Sequence, residues 1–208
     1  MWCRIAGMPR KRRSYHHGDL RRALLREAAR TIREEGVSGV TLRDVGRRLG
    51  VSRTALYRHF ADKSALFAAI ARDGFQTFTG DLRHAWQAAG GGRKGLSAMG
   101  AAYVRFAVDN PAHYRIMFGG FKHLSGSDAA LQGDAAASFQ VLLDAIASMQ
   151  SAALIRDDDR VALGRFIWAT VHGIAMLAID GQLGPGPAVS EALTTFALER
   201  LMTGISKN

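Results

Sequence analysis

Between residues 18 and 35 apolar side chains recur every four positions, at Leu20, Leu24, Ala28 and Ile32, while Arg21, Arg22, Arg26, Arg30 and Arg33 fill the other faces. This is the pattern of an amphipathic helix with one stripe turned inward, and Gly36 supplies its stop. Thr41 offers an N-cap to a short helix whose apolar residues Leu42, Val45 and Leu49 run up to Gly50. Ser52 caps a third helix through Tyr57, and Asp62 caps a fourth over 63–89, with Leu66, Phe67, Ile70, Phe75, Phe78, Leu82 and Trp86 at helical spacing. Gly90-Gly91-Gly92 ends it. Helical patterns return over 95–109, 111–118, 129–153, 158–180 and 188–205, with Pro111 suited to a first helical turn and breaks at Gly119-Gly120, Ser125-Gly126 and 181–187.

No stretch alternates as a strand does, so the predicted fold class is all-α. A small N-terminal unit of three short helices has a glycine turn between the second and third, the elements of a helix-turn-helix, and a larger helical domain follows. Charge sharpens this division. Of the 28 Lys+Arg and 18 Asp+Glu, residues 1–63 hold 16 and 6, which accounts for the entire net charge of +10, whereas residues 64–208 hold 12 of each. A basic block joined to a neutral, apolar-rich block predicts a nucleic-acid-binding part attached to a domain with another task. The expected boundaries are a basic arm over 1–17, a helix-turn-helix DNA-binding unit over 18–63 and a second helical domain over 64–208. Arg10-Lys11-Arg12-Arg13 fits equally an arm reaching the minor groove or phosphates and a solubilising terminus.

A recognition helix needs a rigid support that leaves its outer positions free for base edges and phosphates. Val45, Leu49, Val51, Leu56 and Phe60 are the expected support, with Arg53, Thr54, Tyr57, Arg58 and His59 projecting outward. Arginine can engage guanine through two hydrogen bonds. Hydroxyls of Thr and Tyr reach phosphate, and the amides at Thr41 and Lys63 sit at helix N-termini that favour phosphate.

The string Leu42-x-x-Val45-x-x-x-Leu49-Gly50-Val51-Ser52-x-x-x-Leu56-Tyr57-x-His59-Phe60-x-x-Lys63-x-x-Leu66 resembles the helix-turn-helix of the tetracycline-repressor (TetR) family of bacterial transcriptional regulators. The resemblance covers about residues 18–70. It implies a ligand-responsive regulator, usually a repressor, that binds a palindromic operator as a homodimer and is released by a small effector. By position it puts Arg43, Arg53 and Thr54 at or near bases and Thr41, Tyr57, His59 and Lys63 on the phosphate backbone, with Arg58 where the family varies most. It also implies that the last two helices pair with those of a second copy as a four-helix bundle, for which Gly164, Ala175, Leu193, Phe196, Ala197, Leu201 and Ile205 are the expected seam.

Trp168-x-x-x-His172-Gly173, with Asn110-Pro111-x-x-Tyr114-Arg115-x-Met117-Phe118 before it, resembles a C-terminal subgroup of that family named for its Trp-His-Gly signature. Gly173 is expected to let a neighbouring helix approach. The aromatic and methionine set Phe75, Phe78, Trp86, Tyr103, Phe106, Tyr114, Met117, Phe118, Phe139, Trp168 and Met176 fits either ordinary core or the lining of a mostly apolar effector pocket between helices. His172 is the first-choice polar group of that pocket; a core histidine bonded to a backbone carbonyl fits it equally. An effector wedged beside the fourth helix would stabilise a dimer whose recognition helices are mis-spaced.

Other chemistries find little support. His16 and His17 are adjacent and cannot share a helix face, no His/Cys/Asp/Glu spacing matches a metal site, and no P-loop, G-x-G-x-x-G or G-x-S-x-G is present. No metal, no cofactor and no enzymatic activity are therefore expected, and Asp157-Asp158-Asp159 reads as a helix start. A non-sequence-specific, nucleoid-type binder is the alternative that the basic patch allows. The lone Cys3 excludes an intramolecular disulfide. Residues 1–8 lack a secretory core, Met8 is a second candidate start, and the apolar stretch 166–179 is interrupted by Thr170, His172 and Gly173, so a cytoplasmic protein is expected.

Overall fold

The computed structural model describes residues 17–119, 128–184 and 186–206, and the side chains from Leu20 onward. The expected arm, with Cys3, Met8 and Arg10 to Arg13, and the break at Ser125-Gly126 lie outside the described residues. Among these residues the chain forms nine helices and no strand: α1 (His17–Glu35), α2 (Leu42–Arg48), α3 (Arg53–His59), α4 (Lys63–Ala88), α5 (Gly92–Asp109), α6 (Pro111–Phe118), α7 (Ala129–Ser151), α8 (Arg160–Ile179) and α9 (Pro187–Ile205). One isolated antiparallel bridge, Ile155 with Ser206, closes the turn after α7 against the end of α9.

The caps explain the helix starts. Thr41, Ser52, Asp62, Asp128 and Asp159 each accept a hydrogen bond from an amide in the first turn, at 2.6 to 3.2 Å. Each satisfies one of the orphan donors at a helix N-terminus, a contribution of about 1 kcal/mol. Asp159 is the cap of α8, so that helix begins at Arg160 rather than at 158.

The triglycine segment is a tighter corner than a linker. Gly90, Gly91 and Gly92 all have positive φ, and α5 already begins at Gly92. A Cβ at Gly95 would stand 2.7 Å from the Trp86 ring, and one at Gly91 would stand 3.3 Å from it. Glycine thus lets the indole lie across the α4–α5 corner, and Trp86 is spent on that packing.

One continuous apolar core runs from Leu24 in α1 to Ile205 in α9. Helix α4 is its axis, packing on α1, α5, α6 and α7, while α6 also packs on α1. The helix-turn-helix is therefore attached to the larger domain through two contacts, the continuous α4 and the α1–α6 crossing.

Candidate DNA-binding surface and effector cavity

In the N-terminal unit, Val45, Leu56 and Phe60 are buried and Leu49 and Val51 half-buried. Gly46 is the support residue that periodicity did not mark. A Cβ there would stand 3.0 Å from Leu56 Cδ2, and its carbonyl accepts the Val51 amide at 3.0 Å, so α2 and α3 cross in direct contact. Small size at the crossing, rather than apolar spacing, is the signal for this position.

Arg43, Arg53, Thr54, Tyr57 and Arg58 are exposed, and no acidic side chain among the described residues pairs with these three arginines. The Arg53 guanidinium lies 5.5 Å from the centre of the Tyr57 ring, which aligns the two side chains along one face of α3. His59 and Lys63 are half-buried instead of fully projecting, and the Lys63 ammonium sits 5.2 Å from the Phe67 ring centre. The Thr41 hydroxyl is committed inside α2: it caps the Asp44 amide and donates to the Asp44 carboxylate at 2.6 Å. That donated bond, aided by Arg47, Arg43 and Arg48, holds the Asp44 carboxyl below its ordinary value. Arg48 is a strut to α1, paired with Glu34 and Glu35, and Arg47 pairs with Asp44. The uncompensated positive charge of α2 and α3 is thus concentrated at Arg43, Arg53 and Arg58.

In the larger domain, α4 to α8 line a partly open cavity of about 260 Å³. Of the twelve residues expected at an effector site, seven line it: Phe75, Phe78, Tyr103, Met117, Phe118, Phe139 and Trp168. Leu82, Leu96, Met99, Gly100, Ala135, Ser138, Leu142, Ile167 and Val171 complete the wall. Apart from Met99, which the expected set omitted, these additions are ordinary aliphatic or small residues, which a search for aromatic and methionine side chains passes over. The wall is assembled by edge-to-face rings, Phe78 on Tyr103 at 5.0 Å and Phe75 on Phe118 at 5.4 Å between centroids.

Five expected residues stand off the lining. Trp86 covers the α4–α5 corner, Phe106 packs behind Phe78 at 5.1 Å, and Met176 is half-buried against the core. Tyr114 and His172 form a polar layer behind the wall. The Tyr114 hydroxyl lies 2.7 Å from His172 Nδ1 and 3.0 Å from the Tyr103 hydroxyl, which is itself 3.1 Å from Nδ1. The Trp168 indole N–H donates to the Tyr103 oxygen at 3.0 Å. His172 Nδ1 is therefore bonded to phenol oxygen, neither a cavity contact nor a partner of a backbone carbonyl. Burial lowers the His172 imidazole below 6.5 and pushes the Tyr103 phenol up to about 12, opposed there by the bonds to Tyr114 and Trp168; burial also raises Tyr114. The layer is uncharged near neutral pH.

Helix α6 ties this cavity to the DNA-binding unit. It supplies Met117 and Phe118 to the wall and also packs on α1. Met117 Sδ reaches so close to α4 that a Cβ at Gly74 would stand 2.5 Å from it. Arg115 anchors α6 to the end of α8, donating to the Ile179 carbonyl at 3.0 Å and to Asp180 at 2.7 Å.

The expected seam between copies needs correction at four positions. Ala175, Leu201 and Ile205 are buried within the protomer, and Gly164 faces α7, where a Cβ would stand 2.8 Å from Leu143 Cδ2. Leu193 and Ala197 are half-buried and Phe196 is 54% exposed. Gly173 meets no neighbouring helix, with nothing within 4 Å of a Cβ built there. Helix α8 is long and apolar enough by length and composition to cross a membrane, in contrast to the reading of residues 166–179, yet only 33% of its apolar window is buried. Its exposed side carries Phe166, Ala169, Gly173 and Leu177 at helical spacing, beside Val189, Ala192 and Phe196 of α9.

A basic helix-turn-helix mounted on a helical domain with an apolar cavity defines the class of helical regulatory proteins. Residues 24–70 match the family described as bacterial regulatory proteins, tetR family, and residues 96–201 match the tetracyclin repressor-like C-terminal domain. The chain belongs to the tetR family of bacterial regulatory proteins. Among relatives, it is 41% identical over 58 residues to the HTH-type transcriptional repressor Rv1474c of Mycobacterium tuberculosis, a match covering 28% of this chain and 31% of that protein. The chain thus spans less than a third of the length of that relative. A solved structure of a protein with unknown function from Rhodococcus sp. RHA1 is 34% identical, covers 94% of this chain and 100% of its own, and superposes with a TM-score of 0.84. The TetR family transcriptional regulator PfmR from Thermus thermophilus shares the fold, with a TM-score of 0.72 at 19% identity over 88% of this chain and 99% of that one.

Proposed function

We propose that the protein is a non-enzymatic, cytoplasmic transcriptional repressor that binds a palindromic DNA operator as a homodimer and is released by a small, mostly apolar effector. The observation that carries this reading is the pairing of two features through α4 and α6: a rigid α2–α3 unit with unpaired Arg43, Arg53 and Arg58, and an apolar cavity in the neutral domain. Arg43, Arg53 and Thr54 face bases in this reading, and Tyr57 and Lys63 hold phosphates, with His59 and the α2 terminus at Thr41 beside them. Ligand in the cavity presses on Met117 and Phe118, and α6 passes the displacement to α1. The two recognition helices then leave the spacing of about 34 to 36 Å that one DNA turn requires, and operator affinity falls by a coupling free energy of about 1 to 3 kcal/mol.

The second copy covers the exposed apolar face of α8 and α9, where Phe166, Gly173, Leu177, Val189 and Phe196 replace the buried positions of the expected seam. An apolar helix with Phe166, Gly173 and Leu177 exposed is costly in water, at about 25 cal/mol per Å² of apolar surface, and a two-fold axis brings one such face onto its own copy. The Trp168, His172 and Gly173 triplet supports placing the larger domain in the Trp-His-Gly subgroup. Binding of the full chain to DNA upstream of its own gene and to random duplex, compared at two salt concentrations, tests the reading. A repressor retains a preference for the former at high salt; equal affinity at both would leave a non-specific binder.

A further inference from the structure

Among the described residues no charged side chain lines the cavity, and three of its lining residues carry a nitrogen or oxygen in the side chain: Tyr103, Ser138 and Trp168. All three are committed within the protein. The Trp168 N–H goes to the Tyr103 oxygen at 3.0 Å, and the Ser138 O–H goes to the Ala135 carbonyl at 2.7 Å. The Tyr103 oxygen has three partners, Trp168, Tyr114 at 3.0 Å and His172 Nδ1 at 3.1 Å, which matches the one proton and two lone pairs of a phenol. Ser138 keeps lone pairs, which accept but do not donate. Every lining residue also lies beyond the first turn of its helix, so its amide N–H is bonded along the helix. Asp134, beside Ala135 in the chain, is paired with Arg72 at 2.9 Å. Among the described residues no buried side-chain nitrogen or oxygen lacks a partner. The wall therefore has no spare donor for a ligand oxygen and no counter-charge for a ligand ion.

We infer that the effector is an uncharged hydrocarbon, held without a hydrogen bond and about the size of a benzene ring with a short alkyl chain. This rests on the reading of the cavity as the effector site. A carbonyl or carboxylate entering this wall gives up its water and meets no donor in return, and an ammonium gives up its water and meets no carboxylate. A hydrocarbon has no such loss. Size follows by proportion: an apolar cavity of roughly 150 Å³ takes one benzene, so 260 Å³ takes about ten carbons.

Four probes of matched size test the assignment on the unaltered full chain: butylbenzene, benzylacetone with a carbonyl, hydrocinnamate with a carboxylate, and phenyltrimethylammonium with a cation that ring faces attract. Dissociation constants are measured at neutral pH through tryptophan fluorescence, since Trp168 lines the cavity. Benzylacetone should bind about thirtyfold more weakly than butylbenzene, and each ion at least about a hundredfold more weakly. Infrared spectra of bound benzylacetone give a second readout: with no donor to meet it, its carbonyl stretch should match the value in hexane. Methyl NMR locates the probe. Met99 and Met117 line the cavity while Met149 and Met202 are buried elsewhere, so butylbenzene should shift the first pair and leave the second. A carbonyl stretch below the hexane value, or any of the three polar probes binding as tightly as butylbenzene, overturns the hydrocarbon assignment while the cavity remains a ligand site. Failure of all four to bind, or butylbenzene binding that leaves Met99 and Met117 unshifted, removes the cavity reading itself.

Discussion

The recognition surface and the cavity solve opposite problems. On α2 and α3 the side chains proposed to contact DNA stand in water on a support that does not need them, because Val45, Leu56 and Phe60 hold the unit together from beneath. Around the cavity, Tyr103 and Trp168 are both wall and scaffold, since each shares a hydrogen bond with the other and Tyr103 also bonds Tyr114 and His172 behind the wall. Function is therefore separable from stability in the first region and coupled to it in the second.

The strongest test extends the first region's separability to the proposed dimer face. Phe196→Glu changes an exposed ring and should leave the melting temperature of the protomer close to unaltered, yet place two carboxylates against each other across the two-fold axis. Sedimentation should show monomer, with operator binding lost; a stable dimer would move the interface elsewhere. Behind the cavity wall, His172→Ala removes the hydrogen-bond partner of a buried phenol and should cost about 1 to 3 kcal/mol of stability, lowering melting temperature and ligand response together. An unaltered melting temperature with a weakened response would break the coupling claimed for this region.

On the recognition helix, Arg53→Ala should cost about 1 to 3 kcal/mol on the operator and relax selection at one symmetric base position, with stability preserved. Equal loss on random duplex would make Arg53 a phosphate contact. Lys63→Ala has a smaller expected effect, a uniform weakening on all sequences and a salt slope reduced by about one; an unchanged slope would take Lys63 off the backbone. The smallest effect is on pH dependence. Burial lowers the His172 imidazole, as it does His113 against the opposing Asp73 charge. The folded state thus binds fewer protons than the unfolded chain below 6.5, the ordinary histidine value. Their contribution to stability is whole above that pH and is lost as pH falls toward the lowered folded values. Thermal melts of the unaltered protein and of His172→Gln, run between neutral and mildly acidic pH, should show a shallower loss in the variant.

Legibility in the sequence followed the same division. The caps Thr41, Ser52 and Asp62 and the outward positions of α3 were readable because each depends on neighbours within four residues. Gly46 was not, since its role is set by Leu56 on another helix. Trp86 and Phe118 look alike as aromatic positions on a helical stripe, but only the second faces the cavity; the first is claimed by Gly91 and Gly95 across the corner. Gly164, Ala175, Leu201 and Ile205, expected on a seam between copies, lie inside the protomer for a related reason. Periodicity marks α8 and α9 as apolar nearly all round, and it cannot say which side is used by α5 and α7 and which is left outside.

The amino-acid sequence by itself determined the helical fold, the placing of the charge excess in residues 1–63 and the helix-turn-helix with its projecting side chains, because helix period, capping and turn chemistry act over a few residues. Tertiary structure alone decided that five helices leave a cavity between them, that His172 serves a phenol behind its wall, and that Gly164 and Ala175 belong to the protomer core. These depend on helices far apart in the chain meeting face to face, where close packing and the pairing of buried polar atoms choose among side chains that local pattern treats as equivalent.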